Sequence, residues 1–295
     1  MRNEAPKDIQ TTLGVSSPLT GHELKRAISE VPFWWHSIEL GEFSTPGGKN
    51  AELLHKEWET MKVPNLAGKT VLDIGAWDGY FTFMAEKQGA ASVTALDHYV
   101  WSIEQSGWHA YHLACKKSGK RPKPVDQTAY WDPVKLPGKR GFDVAKRALG
   151  SNVKSIVADY MEVVPEEVGT FDIVLYLGVL YHMQNPVAAM EKVASLTKTL
   201  AIIETHAVEV YGHNLPMAEF YPESELNGDP SNWWGLNVAA LVGMCKAAGF
   251  NRVSVIKGAP KLGAARRVAK AFAALLGIPW GRRHRHYRAV IHAWK

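Results

Sequence analysis

The sequence predicts an α/β fold, with seven mainly parallel strands alternating with helices and a helical cap ahead of them. Three observations predict it. Short apolar runs recur from residue 68 onward, each followed by a helical pattern, as in βαβ units. One run, Val71-Leu72-Asp73-Ile74, feeds a glycine turn that opens a helix. Acids or a Tyr-His pair stand where successive runs end, at Asp97, Asp159 and Tyr181-His182.

The elements follow in order. Residues 1–17 are polar and read as loose. Ser17–Thr20 before His22–Glu30 reads as a capped helix start, and the aromatic stretch Pro32–His36 follows it. Thr45-Pro46-Gly47-Gly48 is a turn signal. Asn50–Met61 carries Leu53, Leu54, Trp58 and Met61 at helical spacing. The first strand is Lys69–Ile74, and its helix runs from Tyr80 to a glycine stop at Gly89. Ser92–Leu96 is the second strand, Asn152–Ala158 the third, Phe171–Gly178 the fourth and Thr199–Glu204 the fifth. Between the second and third lie helices at about 101–118 and 140–149 around a basic, proline-containing loop. Helices at Pro186–Thr197 and Val238–Ala248 flank a Pro/Asn/Gly-rich loop, 207–236, and Asn237 is placed to cap the second of them. Arg252–Ile256 and Tyr287–Trp294 are the last strands, joined by a basic helical insert.

Bulk properties set limits. The chain has 295 residues, 46% of them hydrophobic and 21% charged, which suits a folded core rather than disorder. The formal charge of +5 permits a polyanionic partner. Three basic clusters, Lys116–Lys123, Arg266–Lys270 and Arg282–Arg288, are candidates for that contact and otherwise read as solvated surface. Neither Cys115 nor Cys245 stands in a CxxC pair. His109, His112 and Cys115 share a helical face but lack a fourth ligand, so no metal is expected. The first ten residues lack an apolar core and no long apolar run exists, so the expectation is a cytoplasmic chain without a membrane span.

The ligand signals are stronger. In Asp73-Ile74-Gly75-Ala76-Trp77-Asp78-Gly79, glycines let the backbone approach a ligand, and the helix start offers unpaired N–H groups to a carboxylate. The spacing differs from the Gly-x-Gly-x-x-Gly of dinucleotide binders. An acid before the first glycine suits an ammonium group, such as the amino-acid end of S-adenosylmethionine. Asp97, 18 residues past Gly79 and beside His98, can accept ribose hydroxyls. Asp159 can accept an adenine amino group, with Tyr160 and Met161 flanking the ring. Leu177 and Tyr181-His182 stand at the carboxyl end of the fourth strand, where open α/β sheets bind ligands.

These residues carry a resemblance. Leu72–Phe81, Phe171-Asp172, Gly178-Val179-Leu180-Tyr181-His182, Asn185-Pro186, Glu204-Thr205, Leu241–Phe250 and Arg288–Ile291 are similar to class I S-adenosylmethionine-dependent methyltransferases. Within these the chain resembles the tRNA wobble-uridine methyltransferase and carboxymethyltransferase family, from about residue 30 to the end. The resemblance implies a Rossmann-like, seven-stranded class I methyltransferase fold. It also implies a cap over 1–65, a methyltransferase domain over 66–295 and a helical insert at about 258–286. Tyr181 and Arg288 would sit near the transferred group. In carboxymethylating members a Tyr, an Arg and a Lys after a Trp hold the carboxylate of carboxy-S-adenosylmethionine. Here Trp34-Trp35-His36 puts His36 at the lysine, and Met183 follows His182 where an Arg is expected. These departures favour S-adenosylmethionine and methyl transfer, and a small-molecule acceptor over tRNA.

On the acceptor side, a hydroxyl or ammonium nucleophile needs a base. The candidates are Tyr181, His182, Glu204 and His206, with His182 and His206 preferred because imidazole titrates near neutrality. Glu204 would orient an acceptor hydroxyl or a histidine. Trp34, Trp35, Trp233 and Trp234 could wall an acceptor pocket or pack cap to core. The expected function is methyl transfer to an O or N nucleophile of a sugar, glycolipid or secondary metabolite. The alternative is tRNA, with the basic insert as its track. A non-catalytic relative is the third reading, and the presence of Asp73, Gly75, Asp97, Asp159, Tyr181 and His182 argues against it.

Overall fold

The computed structural model describes residues 18–120, 129–130, 132, 137–209, 215–222, 224–229, 231–261, 263–278 and 285–295. Expectations for residues 1–17, for 121–123 and 282–284 of the basic clusters, and for parts of the 207–236 loop and the 258–286 insert lie outside the described residues. So do the side chains of His109, His112, Lys116 and Arg267.

In chain order the elements are α1 (Gly21–Ser29), β1 (Glu39–Leu40), β2 (Phe43–Ser44), α2 (Ala51–Met61), β3 (Thr70–Ile74), α3 (Tyr80–Lys87), β4 (Ser92–Asp97), α4 (Gln105–Lys117), α5 (Arg140–Ala148), β5 (Lys154–Val157), α6 (Pro165–Val168), β6 (Phe171–Leu177), α7 (Pro186–Leu196), β7 (Thr197–Glu209), β8 (Ala218–Phe220), β9 (Trp234–Leu236), α8 (Val238–Ala247), β10 (Arg252–Lys257), α9 (Ala264–Leu275) and β11 (Arg285–Trp294). The main sheet runs β10-β11-β7-β6-β3-β4-β5, and β9 and β8 attach beyond β7. The seven expected strands are the seven of this path. The expected count is corrected to nine, because β8 and β9 are three residues each and too short to show a period. β3, β4 and β5 are parallel, with Asp73 opposite Ala95 and Asp97 opposite Val157. β11 is antiparallel to both β7 and β10.

The chain divides into two compact units, one of residues 1–175 with 196–198, the other of 176–195 with 199–295. In the first, Val71, Leu72 and Ile74 of β3 and Ala95 and Leu96 of β4 are buried, as the near-continuous apolar runs of parallel strands require. Phe142 of α5 is fully buried and stacks on Phe83 of α3, with centroids 5.3 Å apart, while Trp101 closes on it at 4.7 Å. Each such fully buried ring is worth roughly 1.5–3 kcal/mol. α2 starts where Asn50 accepts the Leu53 N–H at 2.8 Å and stops at Lys62 in the left-handed region. Asp172 pins the start of β6 to β3, accepting from the Thr70 N–H and hydroxyl at 2.9 and 3.1 Å.

In the second unit, Leu200, Ala201, Ile202 and Ile203 of β7 are buried, as are Val290 and Ile291 of β11. β7 runs past its expected end at Glu204 because β11 keeps pairing with it as far as Arg285 opposite Glu209. The register sets Glu204 opposite Val290 and His206 opposite Arg288. Asn237 caps α8 as expected, accepting the Ala240 N–H at 2.9 Å.

Candidate functional site

The glycine turn lies between β3 and α3, in the first unit. Gly75, Trp77 and Gly79 all have positive φ, at 79°, 52° and 90°. At Gly79 a Cβ would meet the Phe83 ring at 2.5 Å and the Phe142 ring at 2.7 Å, so the helix start needs glycine for both its dihedral and its packing. Trp77 is not glycine, and its bend is held from outside. Its N–H donates to Asp97 at 2.9 Å, and its carbonyl accepts the Trp101 indole N–H at 2.6 Å. The N–H groups of Ala76 and Asp78 have no acceptor among the described residues. The indole nitrogen of Trp77 is likewise buried without a partner.

Both acids of the expected cofactor site are buried. Asp73 accepts the Thr82 hydroxyl at 2.5 Å beneath the turn. Burial pushes its carboxyl up to about 6, against the lowering pull of that hydrogen bond. Asp97 accepts from Trp77 with one oxygen and from the Val100 N–H at 3.0 Å with the other. Burial raises it too, to about 6. The sequence assigned Asp97 to ribose alone; the fold also makes it the clamp of the turn. His98 is half-buried and its carbonyl accepts the Ser102 N–H at 3.0 Å. Asp159 accepts the Met161 N–H at 2.9 Å within its own loop, Tyr160 is buried, and Met161 and Leu177 are half-buried.

Two assignments in the cap need correction. Trp34 does not wall a pocket. It is buried, and its indole N–H donates to the Ile28 carbonyl at 3.1 Å, so it packs the cap. His36, which the resemblance sets at the lysine position, is not an open ligand-facing group. It is buried, and its Nδ1 is bonded to Asp78 Oδ1. Asp78 Oδ2 accepts the N–H groups of Trp35 and His36, at 2.8 and 2.9 Å. The sequence reading passed over Asp78, although it stands inside the glycine motif. Its partners lie more than forty residues upstream, beyond the reach of local spacing.

The second unit brings Tyr181, His182, Glu204, His206, Arg288 and Trp233 together. Tyr181 and His182 ring centroids are 4.1 Å apart, and Tyr181 meets His206 edge-on at 6.1 Å. Arg288 lies over the Tyr181 ring, 5.0 Å from its centroid, and the Trp233 N–H donates to the Tyr181 carbonyl at 2.8 Å. Glu204 does not orient a histidine, as expected, but holds Arg288 through a two-pronged pair, Nε and one terminal nitrogen each on its own carboxylate oxygen. Burial opposes the guanidinium charge, and the Glu204 carboxylate more than offsets it, so the Arg288 pKa rises.

The two histidines differ. His182 Nδ1 is within hydrogen-bond reach of the Ser231 carbonyl at 3.2 Å and hydroxyl at 3.0 Å, and that hydroxyl donates to Asp229 at 2.7 Å. Burial lowers the His182 pKa, with Asp229 pulling it back up. His206 Nε2 is shared between the Tyr221 hydroxyl at 3.0 Å and His286 Nδ1 at 3.1 Å. Burial, then His286 and Arg288, hold it down at about 4. Tyr221 also donates to Glu219 at 3.1 Å. A Cβ on Gly235 would meet the Tyr221 hydroxyl at 2.3 Å, so β9 needs glycine there for the network to close. The sequence reading missed Ser231, Asp229, Tyr221, Glu219 and His286. Their only signal was polar residues in a loop and a strand end, brought into register by β9 and β11. Trp233 and Trp234 are half-buried and pack on Phe220, at 6.3 and 4.9 Å, and the Trp234 indole N–H donates to the Gln184 carbonyl at 3.2 Å.

The family described as "Methyltransferase domain" matches residues 47–255. The chain belongs to this family. With it come the enzyme class and donor expected from the sequence, a methyltransferase that uses S-adenosylmethionine. Two curated relatives are tRNA U34 carboxymethyltransferases. One, from Geobacter sp. (strain M21), is 25% identical over 44% of this chain and 30% of its own length. The other, from Citrifermentans bemidjiense, is 21% identical over 68% of this chain and 51% of its own. The methyltransferase thus spans about half or less of these relatives. Among solved structures, the N-terminal domain of EvdMO1 in the presence of SAH and D-fucose is 16% identical, covers 92% of this chain and 94% of its own, and has a TM-score of 0.54. That likeness is one of fold.

The glycine turn of this methyltransferase fits the donor. The N–H groups of Ala76 and Asp78 suit a carboxylate. Asp73 and Asp97 suit an ammonium and hydroxyls, since each carboxylate oxygen already used can accept once more.

Proposed function

We propose that the protein methylates a hydroxyl of a small-molecule acceptor, a sugar or glycolipid first among them, with His182 as general base. The observation that carries this reading is the state of His182. Its Nδ1 is spent on Ser231, its Nε2 has no partner among the described residues, and burial keeps the ring neutral. A neutral imidazole with its tautomer fixed in this way can take a hydroxyl proton at Nε2.

When bound, S-adenosylmethionine supplies an electrophilic methyl on sulfur. Ala76 and Asp78 would hold its carboxylate through N–H groups, Asp73 its ammonium and Asp97 its ribose. His182 would accept, at Nε2, the proton of the acceptor hydroxyl. Ser231 and Asp229 stabilise the imidazolium. Tyr181 and the Trp233–Trp234 pair offer flat faces of the kind that pack against sugar rings.

Two features favour methyl over carboxymethyl transfer. Arg288, which the resemblance would aim at a carboxylate, is already neutralised by Glu204. His36 is tied to Asp78. D-fucose in the EvdMO1 structure belongs to that protein, and it makes deoxysugars a sensible first panel here. The sequence likeness to tRNA carboxymethyltransferases favours tRNA as the second acceptor to test.

The test is mass spectrometry of acceptor panels incubated with enzyme and S-adenosylmethionine. A gain of one CH2 on a hydroxyl compound, lost with His182→Gln, supports the reading. A gain on tRNA alone, or a carboxymethyl gain from carboxy-S-adenosylmethionine, overturns it.

A further inference from the structure

α9 turns its apolar side outward. Val268, Phe272, Leu275 and Leu276 recur at helical spacing on one face, and they are 69%, 63%, 84% and 62% exposed. Ile278, just past the helix, is exposed as well. Among the described side chains of the same helix, the buried ones are Lys270 and Ala273, on the other side. A helix that packs on its own domain shows the reverse arrangement, so this face is built for something other than the chain's own core.

The charge around it says what. Residues 230–295 hold twelve Lys or Arg and no Asp or Glu, and eight of the twelve fall in 258–288, of which Arg285 and Arg288 are paired with Glu209 and Glu204 of β7. Lys261, just before the helix, and Arg266, in its first turn, are exposed. The sequence after the helix continues Ile278-Pro279-Trp280-Gly281-Arg282-Arg283-His284, an aromatic residue among cations. Large apolar side chains on a helix within a segment rich in Lys and Arg suit the headgroup boundary of an anionic bilayer.

We propose that α9 seats the protein on the surface of membranes that carry anionic lipid. No described helix is long and apolar enough to cross a membrane, so the contact is one of lying on the surface. A second copy of the chain is disfavoured, because pairing two α9 faces would set one acid-free basic segment against another. RNA would use the cations but has no use for four exposed aliphatic and aromatic side chains on one stripe.

The experiment is flotation of the intact protein with vesicles of phosphatidylcholine alone and of phosphatidylcholine with phosphatidylglycerol. The protein floats with the anionic vesicles and is released as salt rises. Phe272→Ser with Leu275→Ser lowers the bound fraction at least about tenfold and leaves the melting temperature in place, because both residues are exposed. Lys261→Glu with Arg266→Glu lowers it too, through charge. The proposal is overturned if the protein fails to float with anionic vesicles, or if both double variants float as the wild type does. It is also overturned if the Ser pair dissolves a dimer seen by sedimentation, or abolishes a tRNA shift while vesicle binding persists.

Discussion

Asp97 accepts the amide N–H of Trp77 at 2.9 Å, and the bond holds Trp77 in the left-handed bend between β3 and α3. The acid that ends one strand therefore shapes the turn that ends its neighbour. Under the proposed function, donor binding and the form of the turn would depend on the same carboxylate.

The buried acids leave a mark on stability. Asp73 and Asp97 titrate near 6 in the folded protein, against 3.8 ordinarily. Between those values the folded chain keeps protons that the unfolded chain has lost, so stability falls as pH rises through the window and stays lower above it. His206, held at about 4 against 6.5, acts in the opposite sense, and stability is gained as pH rises over its window. The overlap makes a difference measurement the right one. The melting temperature of Asp97→Asn minus that of wild type should be more positive at about pH 8 than at about pH 4. A flat difference would contradict the buried, raised carboxyl.

His182 predicts a pH–rate profile. As the proposed general base His182 must be neutral, so the acid limb should lie below the ordinary 6.5 and the rate should be level through neutrality. Asp229→Asn removes a charge that raises this pKa, so the limb moves to lower pH and the weaker base slows turnover. His182→Gln should lower kcat by about 10²–10⁴-fold with donor affinity unchanged. Full activity in that variant would remove His182 from the chemistry.

Glu204 and Arg288 should behave as one unit. Either Glu204→Gln or Arg288→Met leaves a half-buried partner unpaired and should cost about 1–3 kcal/mol. The double variant should cost less than the sum, a coupling that denaturation of the four proteins of the cycle reads directly. Glu204→Gln should also shift donor preference toward carboxy-S-adenosylmethionine, since Arg288 regains a free charge.

Asp78 ties Trp35 and His36 to the glycine turn with three hydrogen bonds. Asp78→Ala should destabilise the protein by about 3 kcal/mol, at roughly 1 kcal/mol for each net bond. Chemical denaturation checks it, and a loss under about 0.5 kcal/mol would make the contact incidental.

The strands of the main path were legible because their apolar runs are continuous and their ends are marked by glycine or acid, as at Ile74-Gly75 and Leu96-Asp97. β8 and β9 were hidden, since three residues carry no period. Asp73, Asp97 and His182 could be singled out as candidates from position alone. Their partners could not. Arg288 reaches Glu204 only through the β7–β11 register, and Ser231 reaches His182 through a loop whose path no local rule sets. The sequence left Trp34 between two readings and gave no partner for His36 for the same reason, because Ile28 and Asp78 satisfy them in three dimensions.

Titration calorimetry of S-adenosylmethionine into wild type and Asp97→Ala tests the central claim most directly. Saturable heat with one donor per chain, with affinity at least about tenfold weaker in the variant, is the predicted result. No heat with the wild-type protein, or equal affinity in the two, would contradict it.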